Sequence, residues 1–185
     1  MTGRKGNWMQ LASGRAFWPL DPRPEEIFID DIAHALGNLC RYGGHSPTFY
    51  SVAEHSILVS QLVPQEHALA ALMHDATEAY LVDVPRPIKI HLSNYKDIEE
   101  ALWRVIAARF NLPAELPQCV HDADVAMLYA EKDQLMPPTP HPLDDWGMGL
   151  KTPIKANVQI FGYMPGRASS RFLDRFNELY EEALV

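Results

Sequence analysis

Apolar residues recur along this chain at helical intervals, and proline or glycine interrupts them at nearly every change of rhythm. From Asp30, the residues Ile32, Ala33, Leu36 and Leu39, with Ile29 just ahead, keep the i, i+3, i+4 spacing of a buried helix face. Asp31, His34, Asn38 and Arg41 take the opposite side, so that Arg41 ends this first helix before Gly43-Gly44 stops it. Ser51 predicts the cap of a second helix, with Glu54 three residues on completing a capping box. That helix runs through Val52, His55, Ile57, Leu58, Val59 and Leu62 to Pro64. A third starts near Gln65, carries Ala68, Leu69, Leu72, Met73 and Ala76, and ends ahead of Pro85 and Pro87, which cannot continue it. A fourth covers about 98–110, a fifth about 117–136, and an amphipathic last helix about 169–183.

Residues 1–24 mix glycine, aromatics and proline and read as an irregular arm. The stretch 137–166 holds six prolines and four glycines, the composition of a long loop. Strand-like alternation is confined to about 158–161, and no internal repeat of 20–50 residues appears. The expectation is an all-α fold in a single domain spanning 1–185.

Composition narrows the functional classes. With 185 residues, 47% of them hydrophobic and 22% charged, the chain can bury a core without covalent staples. Sixteen Lys and Arg against 24 Asp and Glu give a formal charge of -8, which disfavours coating a nucleic-acid polymer or lying on a membrane. A free mononucleotide stays compatible, since a local cationic pocket can sit on an acidic surface. No run of 18 apolar residues exists and the N-terminal stretch has no apolar segment of the secretory kind. Two cysteines make neither a disulfide framework nor a four-thiolate zinc site. A cytoplasmic protein is expected.

Polar residues that interrupt the apolar faces carry the chemistry. His55 sits among Val52, Ile57, Leu58 and Val59; the third helix delivers His74-Asp75 after an apolar run, with Glu78 four residues beyond His74; Asp124 lies between Val120 and Met127-Leu128. Taken singly each has a plain explanation: a satisfied core histidine, a helix cap, an ion-pair partner. Together, two imidazoles and two carboxylates entering a helical core from three helices need a common partner, and a divalent cation supplies one.

The strings Tyr50-Ser51-Val52-Ala53-Glu54-His55-Ser56, Leu72-Met73-His74-Asp75-Ala76-Thr77-Glu78-Ala79-Tyr80 and Asp83-Val84-Pro85-Arg86-Pro87-Ile88-Lys89, followed by Asp124, resemble the HD-domain phosphohydrolases. The likeness is to the compact branch that includes bacterial 5'-deoxynucleotidases and phage deoxyadenosine triphosphohydrolases, and it covers about 17–135. The order H…HD…D is moderately specific; the HDxxE extension and the DxPxPxK segment make it strong. The resemblance implies a helical bundle with one divalent ion (Zn, Mn, Co, Ni, Fe or Mg) held between helices by His55, His74, Asp75 and Asp124. The chain has no HExxH pattern of metalloproteases and no HD…GYP segment of the cyclic-dinucleotide branch.

The expected reaction is hydrolysis of a phosphate ester of a (deoxy)nucleotide, mono- or triphosphate, by a metal-activated water. Glu78 is the candidate to orient that water or move its proton, and Asp83 a second acid or base. Arg41, with thirteen residues between it and His55, suits a phosphate through its planar guanidinium. His34, His45 and Lys89, with Lys96 behind, are further phosphate candidates. Arg86, between two prolines, is expected to point outward. Trp18 in the N-terminal arm is the candidate to lie against a base. The expected partner is a small nucleotide in a homo-oligomer, with no membrane. Two rivals stand beside this: a non-catalytic nucleotide-binding regulator on the same scaffold, and an interaction protein working through the proline-rich 137–142.

Overall fold

A computed structural model of the chain describes residues 3–139, 152 and 154–182. Its described residues are mostly helical: α1 (Ile29–Asn38), α2 (Val52–Ser60), α3 (Ala68–Leu72), α4 (Glu78–Leu81), α5 (Arg86–Lys89), α6 (Tyr95–Phe110), α7 (Gln118–Leu135) and α8 (Pro165–Glu182). The sheet content is one antiparallel pair, β1 (Met9–Gln10) and β2 (Ala16–Phe17), with Met9 opposite Phe17. The fold is all-α.

The second helix, α2, is the axis of the packing. All nine of its residues are buried, four of them polar. A helix without a solvent face must be surrounded, and α1, α3, α7 and α8 pack on it. Ile32, Leu36, Leu72, Met73, Leu102, Ile106, Phe172 and Phe176 fill the main core. Between α1 and α8 the approach is close because residue 37 is glycine: a Cβ there would sit 2.1 Å from Ser169 Oγ and 2.9 Å from the Pro165 carbonyl.

Several expectations need correction, among them the end of the second helix, which stops at Ser60 rather than Pro64. The third helix is not continuous: α3 stops at Leu72, residues 73–77 form turns, and α4 restarts at Glu78. The first helix stops at Asn38, so Arg41 does not end it; Leu39 and Cys40 are extended, and Arg41 opens a separate 3-10 turn over Arg41–Gly44. That turn is tied to α2 by Arg41 N–H donating to the Tyr50 carbonyl (2.9 Å) and Val52 N–H to the Leu39 carbonyl (3.0 Å). The N-terminal arm is not wholly irregular, since it holds the hairpin, and Phe17 is fully buried with its ring 4.2 Å from that of Tyr80. Helices α6 and α8 begin three and four residues earlier than the apolar spacing suggested, and residue 183 lies outside the described residues.

Ser51 caps α2 as expected, its hydroxyl accepting from Glu54 N–H at 3.1 Å. Glu54 does not close the capping box. Its carboxylate instead accepts the backbone N–H groups of Phe161, Gly162 and Tyr163 at 2.7, 3.1 and 2.7 Å. The segment approaching this clamp turns Ile154, Ala156, Val158 and Ile160 onto Leu58, Val59, Ala71, Val120 and Met127. Its alternation therefore marks a strap lying across α2 and α7 rather than a strand. Gly162, at φ +67°, has no room for a side chain: a Cβ would come within 3.0 Å of the Phe49 carbonyl. Of the proline-rich stretch, residues 140–151 and 153 lie outside the described residues.

Hydrogen bonds to a charged acceptor are the strong ones, and orphaned donors add a desolvation cost. Glu54→Ala is expected to lower unfolding stability by about 2 kcal/mol, read from urea denaturation, with the far-ultraviolet helical signal kept. An unchanged midpoint would show that the strap holds without its clamp.

Candidate metal centre

Three elements deliver the cluster: α2 brings His55, the turn after α3 brings His74 and Asp75, and α7 brings Asp124. The helix break explains how two adjacent residues serve one point. Neighbours on a continuous α-helix diverge by about 100° around its axis. In the turn, His74 Nε2 and Asp75 Oδ2 approach to 3.2 Å. His55 Nε2 lies 3.1 Å from Asp124 Oδ1 and 3.6 Å from Asp75 Oδ2, while His74 Nε2 is 4.0 Å from the same Asp124 oxygen. His55, His74 and Asp124 form a group able to hold a metal ion, with one ligand atom from each lying within 4.8 Å of the others.

The imidazoles are oriented from behind. Nδ1 of His74 lies 2.8 Å from the Ala71 carbonyl and Nδ1 of His55 lies 2.6 Å from Glu131 Oε1. Carbonyl and carboxylate oxygens only accept, so both Nδ1 atoms donate. Both Nε2 atoms are buried without a hydrogen-bond partner of acceptable geometry. Two orphaned ring nitrogens facing two carboxylates are what a cation would satisfy. The donor set fits a divalent ion.

Electrostatics agree with an excess of negative charge here. Burial pushes Asp75 up, but His74 and His55 outweigh it and hold Asp75 at about 2. Burial likewise raises Asp124, and the two histidines pull it well below the ordinary carboxylate range. His55 is pushed down by burial and by Arg41, yet Glu131 and Asp124 lift it to about 9. Glu78 goes the other way: burial, then the like charges of Asp75 and Asp83, raise it well above its ordinary value. Its Oε2 is buried and unpartnered. Burial also raises Asp83.

Arg41 reaches the cluster from the 3-10 turn. Its Nη1 is 3.7 Å from Asp75 Oδ2, its Nη2 donates to Glu131 Oε2 at 3.1 Å, and its Nε is buried and unpartnered. Two backbone conformations beside the cluster are unusual for side chains: Tyr42 at φ 57° follows Arg41, and Val82 at φ 63°, ψ 160° precedes Asp83. For the β-branched Val82 that conformation is strained.

Two cavities meet at the cluster. One of about 510 Å³ is bounded by Arg41, Tyr42, Asp75, Glu78, Asp83, Pro85, Lys89, Asp124, Val125 and Leu128. The other, of about 630 Å³, is bounded by His74, Asp75, Lys89, Lys96, Trp103, Arg104, His121 and Asp124. The structure thus brings Arg41, Glu78, Asp83 and Lys89 to the candidate ligands. Lys89 is paired with Glu99 at 2.6 Å and Lys96 with Glu100 at 3.6 Å. Arg86 is exposed, as expected, though it also borders the first cavity and is engaged with neighbours. Three candidates go elsewhere. Trp18 packs under the Arg4 guanidinium, 4.3 Å from its ring centre. His34 borders a separate hollow of about 390 Å³ with Gln10, Asp31 and Tyr80. His45 is exposed after the 3-10 turn and borders neither cavity.

Sequence reasoning missed Glu131, Tyr42 and Tyr50. Glu131 is fully buried and its two oxygens receive Arg41, Tyr42, Tyr50 and His55. A signal was present, since Glu131 lies seven residues from Asp124 and four from Met127 and so shares their helix face.

A ligand bound only by the native state raises its stability, by about 2.7 kcal/mol at a hundredfold excess over the dissociation constant. Zinc or manganese is therefore expected to raise the melting temperature of the wild type, and to leave His74→Ala and Asp124→Asn unmoved. Equal shifts in all three would place the ion away from these residues.

No protein-family model matches the chain. No helix among the described residues is long and apolar enough to cross a membrane. Over 178 residues, 95% of this chain and 97% of its relative, it is 41% identical to the uncharacterized protein YfdR of Escherichia coli (strain K12). An uncharacterized protein of Rhodobacter capsulatus is 37% identical over 145 residues, covering 71% of this chain and 74% of that one. Identity at this level, carried across nearly the whole of both chains, means that the chain belongs to the family of Escherichia coli YfdR.

Proposed function

We propose that the chain is a metal-dependent phosphohydrolase of the HD type, cutting a phosphate ester of a (deoxy)nucleotide. The observation that carries this reading is the pair of buried, unpartnered Nε2 atoms of His55 and His74 turned toward Asp75 and Asp124, with the Arg41 guanidinium beside them. His55, His74, Asp75 and Asp124 would hold the ion. A divalent cation there supplies Lewis acidity toward a phosphoryl oxygen and a lowered pKa for water.

The chain's own residues divide the remaining work. Arg41 borders the first cavity and would meet an anion there, and its charge persists because Glu131 and Asp75 hold the guanidinium ionised against the cost of burial. Lys89 stands at the junction of the two cavities and can add a second positive charge by leaving Glu99. Glu78 Oε2, buried and unpartnered, is the atom that can take or give a proton, and Asp83 borders the same cavity. Tyr42, Val125, Leu128 and Pro85 offer the flat and apolar wall that a nucleoside needs. That wall replaces Trp18, whose ring is covered by Arg4.

Purified protein is to be offered deoxy- and ribonucleotides at each phosphorylation level with Mn, Co, Ni, Zn or Mg, and phosphate release measured. Turnover of a nucleotide that is lost in Asp75→Ala supports the reading; no turnover of any nucleotide with any metal overturns it. Glu78→Gln keeps size but cannot accept a proton, so turnover should fall about 100-fold while metal content and melting temperature stay at wild-type values. A fall of less than a few-fold would move the proton transfer to Asp83. Arg41→Ala is expected to raise KM more than kcat falls.

A further inference from the structure

We propose that Glu131 is the positioning residue of this site, committing one carboxylate oxygen to His55 as a cation ligand and the other to Arg41 as an anion grip. The inference rests on the reading above for the roles of His55 and Arg41, and on geometry for the division between them. Oε1 receives His55 Nδ1 at 2.6 Å and the Tyr50 hydroxyl at 2.8 Å. Oε2 receives Arg41 Nη2 at 3.1 Å and the Tyr42 hydroxyl. Glu131 has no exposed surface, so no bulk water competes for either oxygen.

The imidazole side of this arrangement decides chemistry. A neutral ring carries one proton, and only the bare nitrogen can bind a cation. With Oε1 accepting, the proton sits on Nδ1 and Nε2 is left bare toward Asp75 and Asp124.

Changing Glu131 to glutamine tests the division, because one oxygen becomes an NH2 group. Arg41 has only donors, so the amide oxygen must turn to Arg41 and the NH2 to His55. Nδ1 then has to accept, and the His55 proton moves to Nε2. The substitution exchanges the tautomer while keeping the side chain's size and shape. Removing the arginine as well frees the amide to turn round, so Arg41→Met combined with Glu131→Gln should return the proton to Nδ1.

The experiment compares wild type, Glu131→Gln and the double variant, each with 15N-labelled histidine, in alkaline buffer that leaves imidazoles neutral. Zinc affinity is measured in parallel by chelator competition. Expected are an Nδ1 proton on His55 in wild type, an Nε2 proton in Glu131→Gln with zinc affinity lowered about 10- to 100-fold, and an Nδ1 proton in the double variant with most of the affinity regained. An Nδ1 proton in Glu131→Gln with affinity within twofold of wild type overturns the proposal. Should the single variant fail to fold, an Nε2 proton in the double variant overturns it alone. Wild type that binds no zinc sinks the cation reading, while the tautomer comparison still decides the role of Glu131.

Discussion

A carboxylate shut away from water has to find every partner inside the protein, and at the centre of this molecule Glu131 finds four. Leaving a buried charge unpaired costs several kcal/mol, so each partner is bound to its place by the others. Burial pushes Glu131 up, yet Arg41 and His55 hold it ionised at about 2. Much of the structure follows from keeping that group satisfied. The 3-10 turn over Arg41–Gly44 is pinned to the start of α2 so that an arginine and a tyrosine reach α7. α2 is buried on all sides so that His55 stays dry.

Water exclusion also sets what the neighbouring carboxylates can do. Asp75 and Asp124 lie beside imidazoles and stay ionised, whereas burial and the charge of Asp75 raise both Glu78 and Asp83. Groups of one chemical type are thereby sorted into two kinds within a single site: carboxylates held ionised and carboxyls pushed toward the protonated form.

The amphipathic spacing of α1, α6, α7 and α8 made the fold class legible, and the polar residues embedded in apolar runs made His55, His74, Asp75 and Asp124 legible as a group. The break between α3 and α4 was not readable. Apolar spacing continues through Ala76, and neither glycine nor proline marks residues 73–77. The placement of Arg41 escaped for a related reason: a bridge between Cys40 and Ser51 decides it, and pairings distant along the chain leave no periodic trace. Glutamates in the middle of a helix usually face solvent, which hid Glu131. Trp18 was misjudged because an arginine far from it in the arm, Arg4, competes for its face.

The clamp at Glu54 carries a consequence for how this family can drift. It recognises three successive peptide groups rather than any side chain, so the tie itself sets no requirement on the side chains at 161 and 163. Only imino acids are barred, because proline has no N–H to give, and position 162 is held to glycine by its φ of +67°. Two distantly related members can thus share this attachment with little in common in their letters there, and an alignment that scores side chains alone would overlook it.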